Sequence, residues 1–209
     1  MVKKSVLRGE DAGVPLVVDF DGTMHLNDLN LEAVGWLLWN KPLLLFKLLW
    51  VYGVKGRAAM KLRMEEHLEQ AGWLPGLMWD EGVLQRIAAE QAKGREVVVV
   101  TGSTEKLVKR ILAAKGLAYE VVGTVDATVN LVGEHKEAAL VKRWGHKKFD
   151  YIGNSRDDLK VWRSARKGGV RTNSAHVARE SAKVVEVEWL VHDGDGKWKL
   201  LLMALRPKR

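Results

Sequence analysis

The sequence predicts an α/β fold built on a parallel sheet, with an all-helical cap inserted after the first strand. Three observations predict it. The runs "PLVVD" at 15–19 and "EVVVV" at 96–100 have no polar face, so they read as strands buried on both sides, as in a parallel sheet covered by helices. From residue 80 onward, strand-like and helix-like segments alternate, which calls for crossover connections. Residues 29–79 carry no strand signal and form a helical block lodged between the first strand and the next.

Taken in order, the first strand is 15–19 and the cap follows as three helices near 29–40, 42–53 and 56–71. Pro42 suits a first helical turn and Gly72 suits a position just past a helix end. Beyond the cap, helices are expected at 81–93, 104–115, 134–144 and 157–166. Gly94, Gly116 and Gly145 follow the first three of these. Strands are expected at 96–100, 119–124 and 149–154, with a weaker candidate at 169–174. The result is a three-layer, Rossmann-like core made of residues 1–28 and 80–209, with residues 29–79 as its cap.

At 47% hydrophobic residues, the chain can fill a packed core. Lysine and arginine number 34 against 26 acidic residues, so the net charge of +8 favours anionic partners. No DNA-binding motif accompanies the charge, and no nucleic-acid partner is expected. There is no cysteine, hence no disulfide framework and no thiolate zinc site. His25, His67, His135, His146, His176 and His192 lack paired ligand spacing. No apolar stretch follows Met1-Val-Lys-Lys, so no signal peptide is expected. "KPLLLFKLLWVYG" at 41–53 is too short and too interrupted to span a bilayer. It reads first as cap core; the other reading is an interfacial surface with lysines toward lipid phosphates. "DGKWKLLLMALRPKR" at the end has the same character, and "VHDGDGK" at 191–197 reads as a turn before a C-terminal helix.

The chemistry concentrates at strand ends. Asp19-Phe20-Asp21-Gly22-Thr23 leaves a buried strand where open α/β sheets bind ligands. Two carboxylates at i and i+2 can divide labour, one as nucleophile and one as general acid and base. Gly22 permits a tight turn whose N–H groups face a phosphate. Thr101, directly after the second strand, and the Gly102 N–H could hold phosphate oxygens, or Thr101 or Ser103 could cap the next helix. Lys136 sits in a helix's first turn, where a cation is out of place unless it meets an anion. Asn154, Asp157 and Asp158 follow the fourth strand and offer oxygens suited to magnesium.

In this order the four segments resemble the haloacid dehalogenase superfamily, mostly magnesium-dependent phosphohydrolases. The resemblance rests on "DFDGT", Thr101, Lys136 and "GNSRDD", between residues 15 and about 172. It implies that Asp19 is the nucleophile that forms an aspartyl-phosphate. It implies that Asp21 protonates the leaving oxygen and then deprotonates water. Thr101 and Lys136 would bind the phosphoryl group, and Mg2+ would sit on the Asp19 carboxylate, the Asp21 carbonyl and the last box, Asn154 and Asp158. An acid at position 21 favours a phosphatase or phosphotransferase over a dehalogenase. The last box departs from the family's GDxxxD: Asn154 keeps an oxygen and removes one charge, and Asp157 adds a carboxylate.

A narrower resemblance joins "DFDGT", residues 41–64 and "FDYIGNSRDDLKVWRSAR" to the soluble phosphatase domain fused to UbiA-type membrane prenyltransferases. It implies a phosphorylated small molecule or a polyprenyl-linked sugar as substrate. It also implies a membrane surface or a membrane prenyltransferase as partner, and a cytoplasmic location, peripheral at the inner face of a membrane. The alternatives on the same scaffold are a catalytically weak, membrane-associated binding module and a phosphotransferase.

Overall fold

The structure is a computed structural model that describes residue 11 and residues 13–126 and 130–191. Its strands are β1 (Leu16–Asp19), β2 (Val97–Thr104), β3 (Glu120–Thr124), β4 (Asp150–Gly153), β5 (Lys167–Arg171) and β6 (Glu186–Val191). They form one sheet in the order β3-β2-β1-β4-β5-β6. Every pairing is parallel, with Leu16 to Asp19 in register with Val97 to Val100 and Leu16 to Val18 with Asp150 to Ile152. The helices are α1 (Leu29–Asn40), α2 (Pro42–Gln70), α3 (Glu81–Ala92), α4 (Glu105–Ala114), α5 (Glu134–Trp144), α6 (Asp158–Ser164) and α7 (Ala175–Val184).

Strand alternation divides the interior into two cores. Leu16 and Val18 of β1 join Ile87 of α3 and Val108 and Ile111 of α4 on one face. Val17 joins Leu140 of α5, Val161 of α6 and Val177 of α7 on the other. The sheet is therefore the middle of three layers, and its central strands are buried on both sides, which is why they read as unbroken apolar runs.

The inserted helices do not stand apart from this core. Leu29, Ala33 and Leu37 of α1 and Leu48, Met64 and Leu68 of α2 belong to the same apolar cluster as β1. The chain leaves and re-enters the sheet domain through a paired seam. Leu26 N–H donates to Met78 O and Asp80 N–H to Met24 O, both at 2.9 Å. The expected second and third cap helices are the two arms of α2, broken only at Gly56, whose φ of +83° and ψ of 179° turn the chain sharply without a loop. Only glycine takes this conformation without steric cost.

Three expectations shift. Strand β2 runs on through Thr101 to Thr104, so Thr101 lies inside the strand and Thr104 is the N-cap of α4. Neither Thr101 nor Ser103 caps that helix. The weak strand at 169–174 is β5, which starts two residues earlier and ends three residues earlier. Helix α7, capped by Ser174, and edge strand β6 were not assigned from sequence. The turn at 193–197 and the C-terminal helix lie outside the described residues.

Candidate active site

Strand β1 is central, and at its C-terminal end it delivers Asp19 and, one turn later, Asp21. Gly22 takes φ +74°, and a Cβ there would lie 2.1 Å from Asn154 Nδ2, so glycine lets the loops after β1 and β4 close on each other. The loops after β1, β3 and β4, the end of β2 and helices α2 and α5 enclose a cleft of about 330 Å3. Its walls include Asp19, Asp21, Gly22, Gly102, Lys136 and Asn154.

Lys136, in the first turn of α5, answers the question its position raises. Its buried Nζ donates to Asp19 Oδ1 at 2.6 Å, to Tyr151 OH at 3.3 Å and to Asp158 Oδ1 at 3.4 Å. Burial opposes its charge, but Asp19 and Asp158 more than offset that and hold its pKa above the ordinary lysine value. Burial pushes the Asp19 carboxyl up to about 7, and Asp158 and Asp21 add to the rise while Lys136 resists it. Thr23 Oγ1 donates to the other Asp19 oxygen at 3.1 Å.

Asp21 is organised differently. Its Oδ2 accepts from Thr101 Oγ1 at 3.0 Å and Ser103 Oγ at 3.2 Å, and its Oδ1 accepts from Leu29 N–H at 3.2 Å. His25 Nε2 stands 3.5 Å from Oδ1. Burial would raise the Asp21 pKa, but His25, Leu29 and Thr101 hold it below the ordinary carboxylate value.

Two predicted site residues stand behind the cleft instead of lining it. Asp158, expected as a metal ligand, is buried and spent on protein donors. Its Oδ2 accepts from Asn154 N–H at 3.1 Å, Ser155 N–H at 2.9 Å and Ser155 Oγ at 2.8 Å. Its Oδ1 accepts from Tyr151 OH at 2.5 Å. These donors and Lys136 hold its pKa below the ordinary value against the cost of burial. Thr101, expected at the phosphate, gives its hydroxyl hydrogen to Asp21 and accepts from Ser103 N–H at 2.9 Å. Both act by fixing other groups. Gly153 is needed for the same packing, since a Cβ there would come 2.7 Å from the Tyr151 ring and 2.8 Å from the Asp158 carboxyl carbon.

Several contributors carry no motif of their own. Tyr151, Ser155 and Thr23 lie within or beside the motif residues. Lys61 and Arg57 come from α2 and carried no linear signal. Lys61 is buried and donates to Gly102 O and, at 2.8 Å, to Asn130 Oδ1. Burial, helped by Arg57, lowers its pKa to about 8.

A hard cation suits this cleft. Asp19, Asp21, Asn154 and Asp157 bring side-chain oxygen acceptors to its wall. Among the described residues no three acidic or histidine side chains converge tightly enough to hold a metal alone. A cation here would therefore draw on the Asp21 carbonyl and the Asn154 amide oxygen beside Asp19.

Fold and site together define an α/β enzyme with paired carboxylates at the C-terminal end of its central strand, beside a buried lysine. The haloacid dehalogenase-like hydrolase model matches residues 16–163, and the chain belongs to that family. Among solved structures, it resembles a HAD family hydrolase from Salmonella enterica serovar Typhi (TM-score 0.55, 16% identity, 94% of this chain and 74% of that one). It also resembles a phosphoserine phosphatase in apo form (TM-score 0.54, 14% identity, 92% and 99%). A third likeness is a Bordetella pertussis protein described as of unknown function (TM-score 0.58, 12% identity, 83% and 96%). At these identities the likeness is one of fold. No curated protein matches the sequence.

Proposed function

We propose that this chain is a Mg2+-dependent phosphohydrolase that cleaves a phosphate monoester through an aspartyl-phosphate on Asp19. The observation that carries the reading is the Asp19–Lys136 contact at 2.6 Å on the wall of a cleft that Asp21 also lines. In the first step an Asp19 oxygen attacks phosphorus, the ester P–O bond breaks, and the leaving oxygen takes a proton from Asp21. In the second step Asp21 removes a proton from water, the water oxygen attacks phosphorus, and Asp19 departs as carboxylate with release of phosphate.

The neighbours of Asp21 favour its ionised form, which the second step requires. An entering phosphate dianion adds negative charge beside it and favours the protonated form needed first. Bound at the Asp19 carboxylate, the Asp21 carbonyl and the Asn154 oxygen, Mg2+ would keep Asp19 ionised and neutralise phosphoryl charge. Lys136 orients Asp19, while the Gly22 and Gly102 backbones border the space for the phosphoryl oxygens. Asp158 and Thr101 position Lys136 and Asp21. The phosphoserine phosphatases of like fold support ester hydrolysis as the reaction class. Exposed apolar side chains on the cap residues 29–79, next to Arg57 of the cleft, support a lipid-linked substrate. The test is a phosphate-ester panel with Mg2+ and with EDTA, run on the wild type and Asp19→Asn. Turnover that persists in Asp19→Asn, or no turnover across the panel, would refute it.

A further inference from the structure

The first arm of α2 is apolar almost all round, yet it is not the core of the cap. Between Leu38 and Arg57 only Leu48 is buried. Trp39 is 87% exposed, Leu43 78%, Phe46 70% and Trp50 65%. Leu49, Tyr52 and Val54 are exposed as well. A contiguous aromatic and aliphatic surface of this kind marks an interaction site.

Charge identifies what covers it. From residue 33 to residue 64 there is no aspartate or glutamate, while Lys41, Lys47, Lys55, Arg57, Lys61 and Arg63 are all basic. Lys47, Lys55, Arg57 and Arg63 are exposed, in and just beyond the apolar run. A second copy of this chain would bring the same uncompensated cations face to face, which opposes self-association. An anionic lipid bilayer complements both properties: its acyl boundary takes the apolar side chains and its headgroup phosphates take the lysines. The arm is interfacial in length, since no helix among the described residues is long and apolar enough to cross a membrane. A groove of about 570 Å3 between the two arms, lined by Leu44, Phe46, Trp50 and Val51 together with Lys47 and Arg63, adds an apolar recess beside basic side chains.

We infer that the C-terminal end of α1 and the first arm of α2 form a docking surface for an anionic bilayer, with the tryptophan and phenylalanine side chains at headgroup depth. Arg57 stands one residue past the Gly56 kink and lines the active-site cleft. Docking therefore sets the cleft beside the lipid surface. The consequence that the substrate's phosphate is presented from lipid headgroups rests on the proposed hydrolysis; the docking does not.

The test is co-flotation of the full chain with phosphatidylcholine vesicles, with and without 30% phosphatidylglycerol. Binding to the anionic vesicles, with a blue shift of tryptophan fluorescence and weakening in high salt, is the expected result. Phe46→Ser with Trp50→Ser should weaken it by about tenfold or more. Lys47→Glu and Lys55→Glu should each weaken it by about fivefold. All four positions are exposed and away from the cleft, so circular dichroism and turnover of a soluble phosphate ester should not change. Asp19→Asn should bind vesicles like the wild type, which separates this inference from the catalytic one. Absence of vesicle binding would overturn it. So would binding that survives the cap substitutions, since the contact would then lie elsewhere in the chain. A concentration-dependent dimer that Trp50→Ser dissolves, with no vesicle binding, would assign the surface to a second copy instead.

Discussion

Replacing Lys136 by methionine removes one ammonium from between two buried carboxylates while keeping most of the stem volume. At pH 8 the loss is severe. Asp19 and Asp158 both lose a cation, at 2.6 and 3.4 Å, and breaking a buried pair of this kind costs about 3–5 kcal/mol. At pH 5 the loss is smaller. Asp19, with a pKa raised from 3.8 to about 7, already carries its own proton there, and only Asp158 is deprived. Asp158 still keeps Tyr151 and Ser155 as donors. The sign follows from linkage: a carboxyl raised in the folded state contributes stability that is fully present below pH 3.8 and is lost as pH rises through about 7. The gap between wild type and Lys136→Met should therefore widen by about 1.4 kcal/mol from pH 5 to pH 8, because between pH 7 and 8 Asp19 is ionised in the wild type and still protonated in the variant. Urea denaturation followed by tryptophan fluorescence, in EDTA, measures it. A gap equal at the two pH values, or under about 1 kcal/mol at both, would refute the picture of Lys136 as the cation for two buried acids.

Asp21→Asn should lower kcat by about 10²–10⁴, and more for an alkyl phosphate than for p-nitrophenyl phosphate, whose leaving group needs no proton. Equal losses on the two esters would remove the acid role from Asp21. Asn154→Asp should lower the Mg2+ concentration for half-maximal turnover by about tenfold, because it restores a charge to the oxygen set; a rise would count against Asn154 as a ligand. Gly22→Ala should raise that concentration and destabilise the fold by about 1–3 kcal/mol, since it forces both φ +74° and a clash with Asn154. At the other end of the sheet, Asp150→Ala should cost about 3–5 kcal/mol with kcat unchanged, as it strips Arg95 and Arg166 of their shared carboxylate.

Much of this was legible because the central strands announce themselves. β1, β2 and β4 are buried on both faces, so their composition needs no alternation to be read, and the chemistry begins at their C-terminal ends. Strand β6 was not read as a strand because it is an edge: Glu186 and Glu188 are exposed, and their alternation with half-buried neighbours lacks the continuous apolar signal. The roles of Asp158 and Thr101 were out of reach for another reason. Spacing brings a side chain to the neighbourhood of a site, but donors from Tyr151, Ser155 and Ser103 decide which way it turns. Lys61 needed the Gly56 kink and the packing of α2 over β2, which no local pattern encodes.

The same geometry explains why an asparagine suits the last box. Four carboxylates on the cleft wall, Asp19, Asp21, Asp28 and Asp157, face three cations, Arg57, Lys61 and Lys136. Asp158 behind the wall makes a fifth acid, held ionised by its donors. With every group charged, the surplus is two negative charges, which a single divalent cation cancels. A phosphate dianion would then enter a site of no net charge, with Arg57 and Lys61 of α2 on its cap side. An aspartate at 154 would add a charge beside Asp19, whose pKa like charges already raise, and would push it further from the ionised form a nucleophile needs. On the proposed mechanism, Asn154 would trade metal affinity for a more readily ionised Asp19. The two effects separate by experiment: in Asn154→Asp, the Mg2+ requirement should fall while the acid limb of the pH–rate profile at saturating Mg2+ moves to higher pH. A variant that gains affinity with an unmoved acid limb would show that Asn154 bears on the metal alone.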